Sequence, residues 1–170
     1  GVAERVGTPE QCIEITNFLR SRGCYVIGGI DGAWRANSEP GQSLSNFRKA
    51  YDNFDMISPW TVGRYGDQNS YNSFLNNMIL PDLTYCRQKG IDYQPVIWSG
   101  FSWGLWMENS AGPNQIPRNE GNFLWMQVKA LKNAGVGQLY FAMFDEYDEG
   151  TAIMKAASDS FMVPTDQAFV

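Results

Sequence analysis

Apolar positions along the chain switch repeatedly between a helical spacing and short continuous runs. Thr8-Pro9-Glu10-Gln11 reads as a helix start: the Thr hydroxyl and the Gln amide can satisfy orphan backbone donors reciprocally, and Pro lacks an N–H where none is needed. That helix is expected to run to about Arg22 and stop at Gly23. The run Cys24 to Ile30 is apolar almost throughout and too short for a buried helix, which predicts a strand covered on both faces. A short helix around Leu44, Phe47, Ala50 and Tyr51 should precede a strand from Phe54 to Trp60. A longer helix from about Ser70 to Lys89, with Pro81 as a kink, should end at Gly90 and feed a strand from Ile91 to Trp98. A last helix, about Asn119 to Asn133, carries Leu124, Val128 and Leu131 at helical spacing and ends at Gly135 before a strand from Gln138 to Phe144.

Three of these helices close on Gly (Gly23, Gly90, Gly135) just before a strand begins, as expected where a left-handed cap turns the chain back to a sheet. The repeat is one α-then-β unit made four times, which predicts an α/β fold with a parallel sheet. Two architectures meet that pattern: an open doubly wound sheet, or part of a (β/α)₈ barrel. No Gly-rich phosphate loop follows any of the expected strands, so a nucleotide-binding open sheet has no support. A barrel takes roughly 250 residues. The four units expected here are half of its eight, with no linker or composition break to divide the 170 residues.

Composition narrows the chemistry. With 13 Lys+Arg against 18 Asp+Glu the net charge is -5, which disfavours nucleic acid and an acidic membrane surface as partners. There is no His, so no Ser-His-Asp or Cys-His relay, His-ligated zinc or imidazole acid/base is available. Proton transfer falls to Asp, Glu, Tyr, Lys or Cys. Cys12, Cys24 and Cys86 are too few and too widely spaced for a disulfide framework or a metal site, and are expected to be small buried hydrophobes. No run approaches the roughly 20 apolar residues of a membrane span, and no basic-then-apolar leader opens the chain.

In α/β folds, function gathers at the C-terminal ends of the strands. Those segments are Asp31 to Arg35, Trp60 to Tyr65, Trp98 to Trp106 and Asp145 to Gly150, and among the six Trp only Trp125 lies elsewhere. Flat aromatic faces beside carboxylates and Arg fit a sugar-binding cleft, since pyranose faces stack on rings while polar groups take the hydroxyls. The bland alternative is that these Trp pack under loops. The densest cluster is Asp145-Glu146-Tyr147-Asp148-Glu149, four acids in five residues. Such acids could cap a helix starting near Gly150-Thr151. Mutual repulsion would also raise some of their pKa values, and a raised carboxyl beside an ionised one is what glycoside cleavage needs. A calcium loop is excluded, because Tyr147 and Ala156 stand where oxygen ligands are required.

The segments Asn114-Gln-Ile-Pro-Arg118-Asn-Glu-Gly121-Asn-Phe123 and Phe144-Asp-Glu146-Tyr-Asp-Glu149-Gly150-Thr151-Ala-Ile153 resemble the C-terminal half of glycoside hydrolase family 99, the endo-α-mannosidases, and related family 71/99-like bacterial proteins. The Glu-x-x-Glu-Gly-Thr part is the specific one. The resemblance implies a parallel (β/α) barrel-type fold, with residues 1–170 as a single domain of four βα units equivalent to about half of a TIM barrel. It implies that Glu146 acts as a base on the sugar 2-hydroxyl, and that Glu149 is the general acid that protonates the leaving oxygen and then activates water. Trp60 falls near an active-site aromatic and Arg118 near a polar loop residue. Asp145 and Asp148 replace the family's Asn and His.

The combined expectation is a glycoside hydrolase cleaving an α-linked oligosaccharide or polysaccharide. Its catalytic pair is Glu146 and Glu149, with Asp31, Trp34, Trp60, Arg64, Trp98, Trp103, Arg118, Asp145 and Tyr147 around the substrate and neither metal nor cofactor. The alternatives are a non-catalytic carbohydrate-binding fragment and a self-associating half barrel. A half barrel has open strand edges, which predicts a second half-barrel partner from the same or another chain. The resemblance also implies secretion or a periplasmic location.

Overall fold

The computed structural model describes residues 7–35, 47–106, 114–154, 157 and 159–162. These form two compact units, one built from residues 1–61, 74–96 and 136–140, the other from residues 62–73, 97–135 and 141–170. Strands run parallel in small sheets between helices, so the fold is mixed α/β.

In the first unit, α1 (Pro9–Ser21) opens on the expected capping box: the Gln11 N–H donates to Thr8 Oγ1 at 3.3 Å and the Thr8 N–H donates to Gln11 Oε1 at 2.9 Å. Gly23 follows at φ +82°, a region that only Gly enters without strain. The chain then enters β1 (Ile27–Asp31), which starts later than the apolar run does. β1 alternates between exposed and buried positions, with Ile27 and Gly29 exposed, so the expectation of cover on both faces fails. The reason lies in sheet order. β2 (Met56–Trp60), which is buried along its length except at Trp60, takes the centre, and β1 takes the edge. The register is parallel, from Ile27 opposite Met56 to Asp31 opposite Trp60. Between them, α2 (Arg48–Tyr51) supplies buried Ala50 and Tyr51. Leu44 lies outside the described residues.

The long helix begins at α3 (Gln68–Phe74), earlier than Ser70, and continues through a π-helical turn (Leu75–Ile79) into α4 (Leu80–Lys89). Pro81 sits in the first turn of α4. The Leu80 N–H donates to the Leu75 carbonyl, so the widened turn sits directly before the residue that cannot donate. Gly90 caps α4 at φ +70°.

The single strand expected from Ile91 to Trp98 is two pieces, β3 (Asp92–Tyr93) on β2 and β4 (Val96–Ile97). Pro95 between them has no N–H for a ladder. Hydroxyls take over there: Ser58 Oγ donates to the Gln94 carbonyl at 2.9 Å and Thr61 Oγ1 to the Val96 carbonyl at 3.0 Å. β5 (Tyr140–Phe141) pairs with β4, the Tyr140 N–H donating to the Pro95 carbonyl at 3.1 Å.

In the second unit, α5 (Trp103–Trp106) is short, and a 3₁₀ turn (Asn119–Gly121) precedes α6 (Asn122–Asn133). The buried stripe of α6 is Phe123, Gln127 and Leu131 rather than Leu124, Val128 and Leu131, so the helix is rotated from the expected apolar face and centres a polar side chain. Gly135 follows at φ +76°. Among the cysteines, Cys86 is buried as expected and Cys24 is exposed. Among the described residues, no helix is long and apolar enough to cross a membrane, and no His/Cys/Asp/Glu group could hold a metal ion.

Candidate functional site

The acidic segment forms a closed loop after β5. At its neck, the Met143 N–H donates to the Thr151 carbonyl at 3.4 Å, the Ile153 N–H to the Met143 carbonyl at 3.0 Å and the Met154 N–H to the Phe144 carbonyl at 2.8 Å. Inside it, the Glu146 carbonyl accepts from the Thr151 and Ala152 N–H groups at 3.2 and 2.9 Å. Gly150 closes a turn on the Tyr147 carbonyl at φ +69°. Residues 151–154 return along the neck without helical structure, so the acids do not cap the helix expected to start near Thr151; Lys155 and Ala156 lie outside the described residues.

Two neighbouring segments hold this loop. The Ser102 N–H donates to the Glu149 carbonyl at 2.7 Å, and Ser99 Oγ to the Thr151 carbonyl at 3.0 Å. Residues 114–118 join through a bridge between Phe101 and Ile116, and Arg118 Nη2 donates to the Gly150 carbonyl at 2.9 Å. Glu146 and Glu149 are half-buried, whereas Asp145, Tyr147 and Asp148 are exposed. The Glu149 carboxyl is held above the ordinary glutamate value, first by burial and then by the negative charges of Glu146 and Asp148. Burial holds the Arg118 guanidinium below its ordinary value, and its buried Nε has no hydrogen-bond partner.

The expected substrate-facing residues divide by burial. Trp103 is 43% exposed and rests edge-on against Phe101 at 5.0 Å; Arg64, half-buried, belongs to the same unit. Trp98 is completely buried between Tyr65 at 4.2 Å and Phe123 at 5.9 Å, so it is a core ring and offers no stacking face. Trp34 is 1% exposed in the other unit, where its Nε1 donates to buried Asp82 at 2.9 Å; it too is corrected from cleft wall to core. Both corrections have one cause: a large aromatic at a strand end is drawn inward when rings are there to pack against it. Asp31 shapes its own turn, Oδ1 accepting from the Ala33 N–H at 2.7 Å. Trp60 ends β2 with its ring 44% exposed. Asp31, Trp34 and Trp60 belong to the first unit and the rest to the second.

Sequence reasoning missed Ser102, Gly100 and Gln127. Ser102 is fully buried, its hydroxyl accepting from the Asn114 N–H at 3.2 Å. A Cβ on Gly100 would lie 2.9 Å from both Arg118 Cγ and the Ile116 carbonyl, so only Gly lets the two segments meet. The Trp-Ser-Gly-Phe-Ser-Trp spacing gave a signal for that close approach, because small residues alternate with large ones. Fold and site together define a mixed α/β protein that carries a hydrogen-bonded acidic loop beside an exposed tryptophan. Compared with known proteins, the chain matches no family model and no curated sequence.

Proposed function

We propose that the chain is a glycoside hydrolase-like protein acting on an α-linked glycan, with Glu149 as the general acid and Glu146 as its carboxylate partner. The observation that carries this reading is the Ser102 N–H to Glu149 carbonyl bond at 2.7 Å. It ties the backbone of Glu149, whose carboxyl has raised proton affinity, to the residue that precedes the exposed Trp103. A half-buried carboxyl keeps its proton to higher pH, and an exposed indole gives a pyranose a face to lie on. Glu149 donates its proton to the glycosidic oxygen as the bond to the anomeric carbon breaks. Glu146 supports that carbon, directly or by taking the proton of the 2-hydroxyl. Water then adds to the carbon and returns a proton to Glu149, and a proton taken by Glu146 goes back to the 2-oxygen as that bond opens, so each turnover consumes one water and leaves both carboxyls as they began.

The accompanying fold reading is four βα units of a parallel (β/α) barrel, supported by parallel strands that each follow helical segments. Among the described residues β1 is the edge of its sheet with Ile27 exposed, and Ile15 and Phe18 of α1 are exposed as well. These features support association with a further strand-bearing partner. Sedimentation should give a mass above that of one chain; a monomer that melts cooperatively excludes the partner.

Hydrolysis is tested by incubating the chain with labelled α-mannosides, α-glucosides and α-xylosides. Release of reducing ends from at least one is expected, with a loss of about 100-fold or more in Glu146→Gln and in Glu149→Gln, the scale of acid–base catalysis. Unchanged turnover in both variants excludes the pair. Calorimetric binding of sugar without any release makes the protein a carbohydrate-binding one instead.

A further inference from the structure

We propose that Arg118 is a positioning residue that sets the depth of Glu149 by clamping the carbonyl of Gly150. The inference rests on the hydrolase reading for its meaning and on geometry for its support. Glu149 is fixed through two successive carbonyls: its own takes the Ser102 N–H at 2.7 Å, and the next takes Arg118 Nη2 at 2.9 Å. The two donors come from different segments, and Gly100 brings those segments together by leaving room for the Arg118 stem.

Arg118 is costly where it stands. Its Nε is buried without a partner and, among the described residues, its guanidinium forms no ion pair, so part of a charged group has left water for a single carbonyl. A residue kept only for fold stability would not need a charge there, since an apolar chain of similar length packs against Gly100 without that desolvation. What the guanidinium adds is a charge-assisted hydrogen bond at the residue following the acid. The charged groups around Glu149 are Glu146 and Asp148 on its own loop and Arg118 on the packed segment. The first two raise its proton affinity after burial, and the clamp preserves the burial.

The test compares wild type, Arg118→Met and Arg118→Lys by carboxyl NMR titration of Glu149 and by amide hydrogen exchange on the whole chain. Met keeps the stem and removes the donor. Its expected signature is a Glu149 midpoint that falls toward the ordinary glutamate value, with Ser102 and Thr151 amides exchanging about tenfold faster, the factor that losing one such bond implies. Its melting temperature should stay at or above that of wild type, because the uncompensated buried charge is gone. Lys retains a donor and should restore the midpoint at least in part. An unchanged midpoint in a folded Met variant overturns the proposal. A raised midpoint overturns it too, because the guanidinium would then act as a nearby charge and not as a clamp. Should Met fail to fold, the wild-type Arg118 guanidinium protons decide: slow exchange with water supports the clamp, and exchange as fast as in free arginine overturns it. None of these readouts needs turnover, so the hydrolase reading can fail while the clamp stands, or the reverse.

Discussion

Gln127 and Trp98 are joined twice: Gln127 Nε2 donates to the Trp98 carbonyl at 2.9 Å, and the Trp98 N–H donates to Gln127 Oε1 at 3.3 Å. The same amide accepts from the Tyr65 hydroxyl at 3.0 Å and donates to the Phe123 carbonyl at 3.0 Å. A completely buried amide has thus spent both donors and both acceptor positions, fixing the end of β4 to α6 through one side chain.

Gln127→Leu should therefore destabilise the fold by about 2–4 kcal/mol despite its apolar gain, because the Trp98 backbone N–H and carbonyl and the Tyr65 hydroxyl would lose the Gln127 amide together. Urea denaturation followed by tryptophan fluorescence reads this directly. A loss under about 0.5 kcal/mol, the range of ordinary surface changes, would show that the network is dispensable.

Asp82 should give stability a pH dependence of its own. Its carboxyl is buried, accepting from Trp34 Nε1 at 2.9 Å and Arg35 Nε at 2.6 Å, yet burial outweighs these and pushes it up to about 6 from 3.8. The folded chain thus keeps a proton that the unfolded chain has released, so this group's contribution declines as pH rises from about 4 to about 6. Asp82→Asn should remove that part of the slope in denaturation curves taken at successive pH values. Asp82→Ala should cost about 1–3 kcal/mol at pH 7, the scale of removing a buried hydrogen-bond acceptor, since Arg35 keeps part of its solvation.

The pH–rate profile, if turnover is found, should carry a high-pH limb set by Glu149. The acid works only while protonated, and its raised pKa extends that range upward beyond an ordinary glutamate. Activity should fall as pH passes through the raised value. Replacing Asp148 by Asn should move the limb to lower pH, because it removes one of the charges that raise the carboxyl. A limb that does not move would mean that Glu149 is not the acid.

Gly28→Ala places a methyl group against the ring of Phe54 beneath β1. Overpacking of this kind costs about 1–3 kcal/mol, so the variant should melt lower than wild type. Gly29→Ala, with open space at the same position, is the matched control and should lose no more than the weak strand propensity of alanine implies.

Helix ends were the most legible part of the fold. Thr8 with Gln11, and the Gly after each of three helices, act through backbone donors and φ values within a few residues, so the string of side chains contains their cause. Strand limits were less so. The break at Pro95 is local and readable, but the exposure of Ile27 depends on β1 lying at the edge of its sheet, which nothing near Ile27 encodes. At the site, the crowding of Asp145, Glu146, Asp148 and Glu149 was visible in sequence, whereas the hydrogen bonds that tie down the Glu149 and Gly150 carbonyls come from Ser102 and Arg118, distant along the chain.

The sequence by itself determined an α/β chain of alternating helices and strands, without imidazole chemistry, with an acidic cluster and most of its tryptophans at strand ends. Only the tertiary structure decided which of those rings face solvent. Trp103 stays out and Trp34 and Trp98 go in, because burial depends on the partners that meet each ring: Asp82, Tyr51 and Tyr85 around Trp34, Tyr65 and Phe123 around Trp98. Period and propensity are properties of neighbours in sequence, while desolvation is a property of neighbours in space.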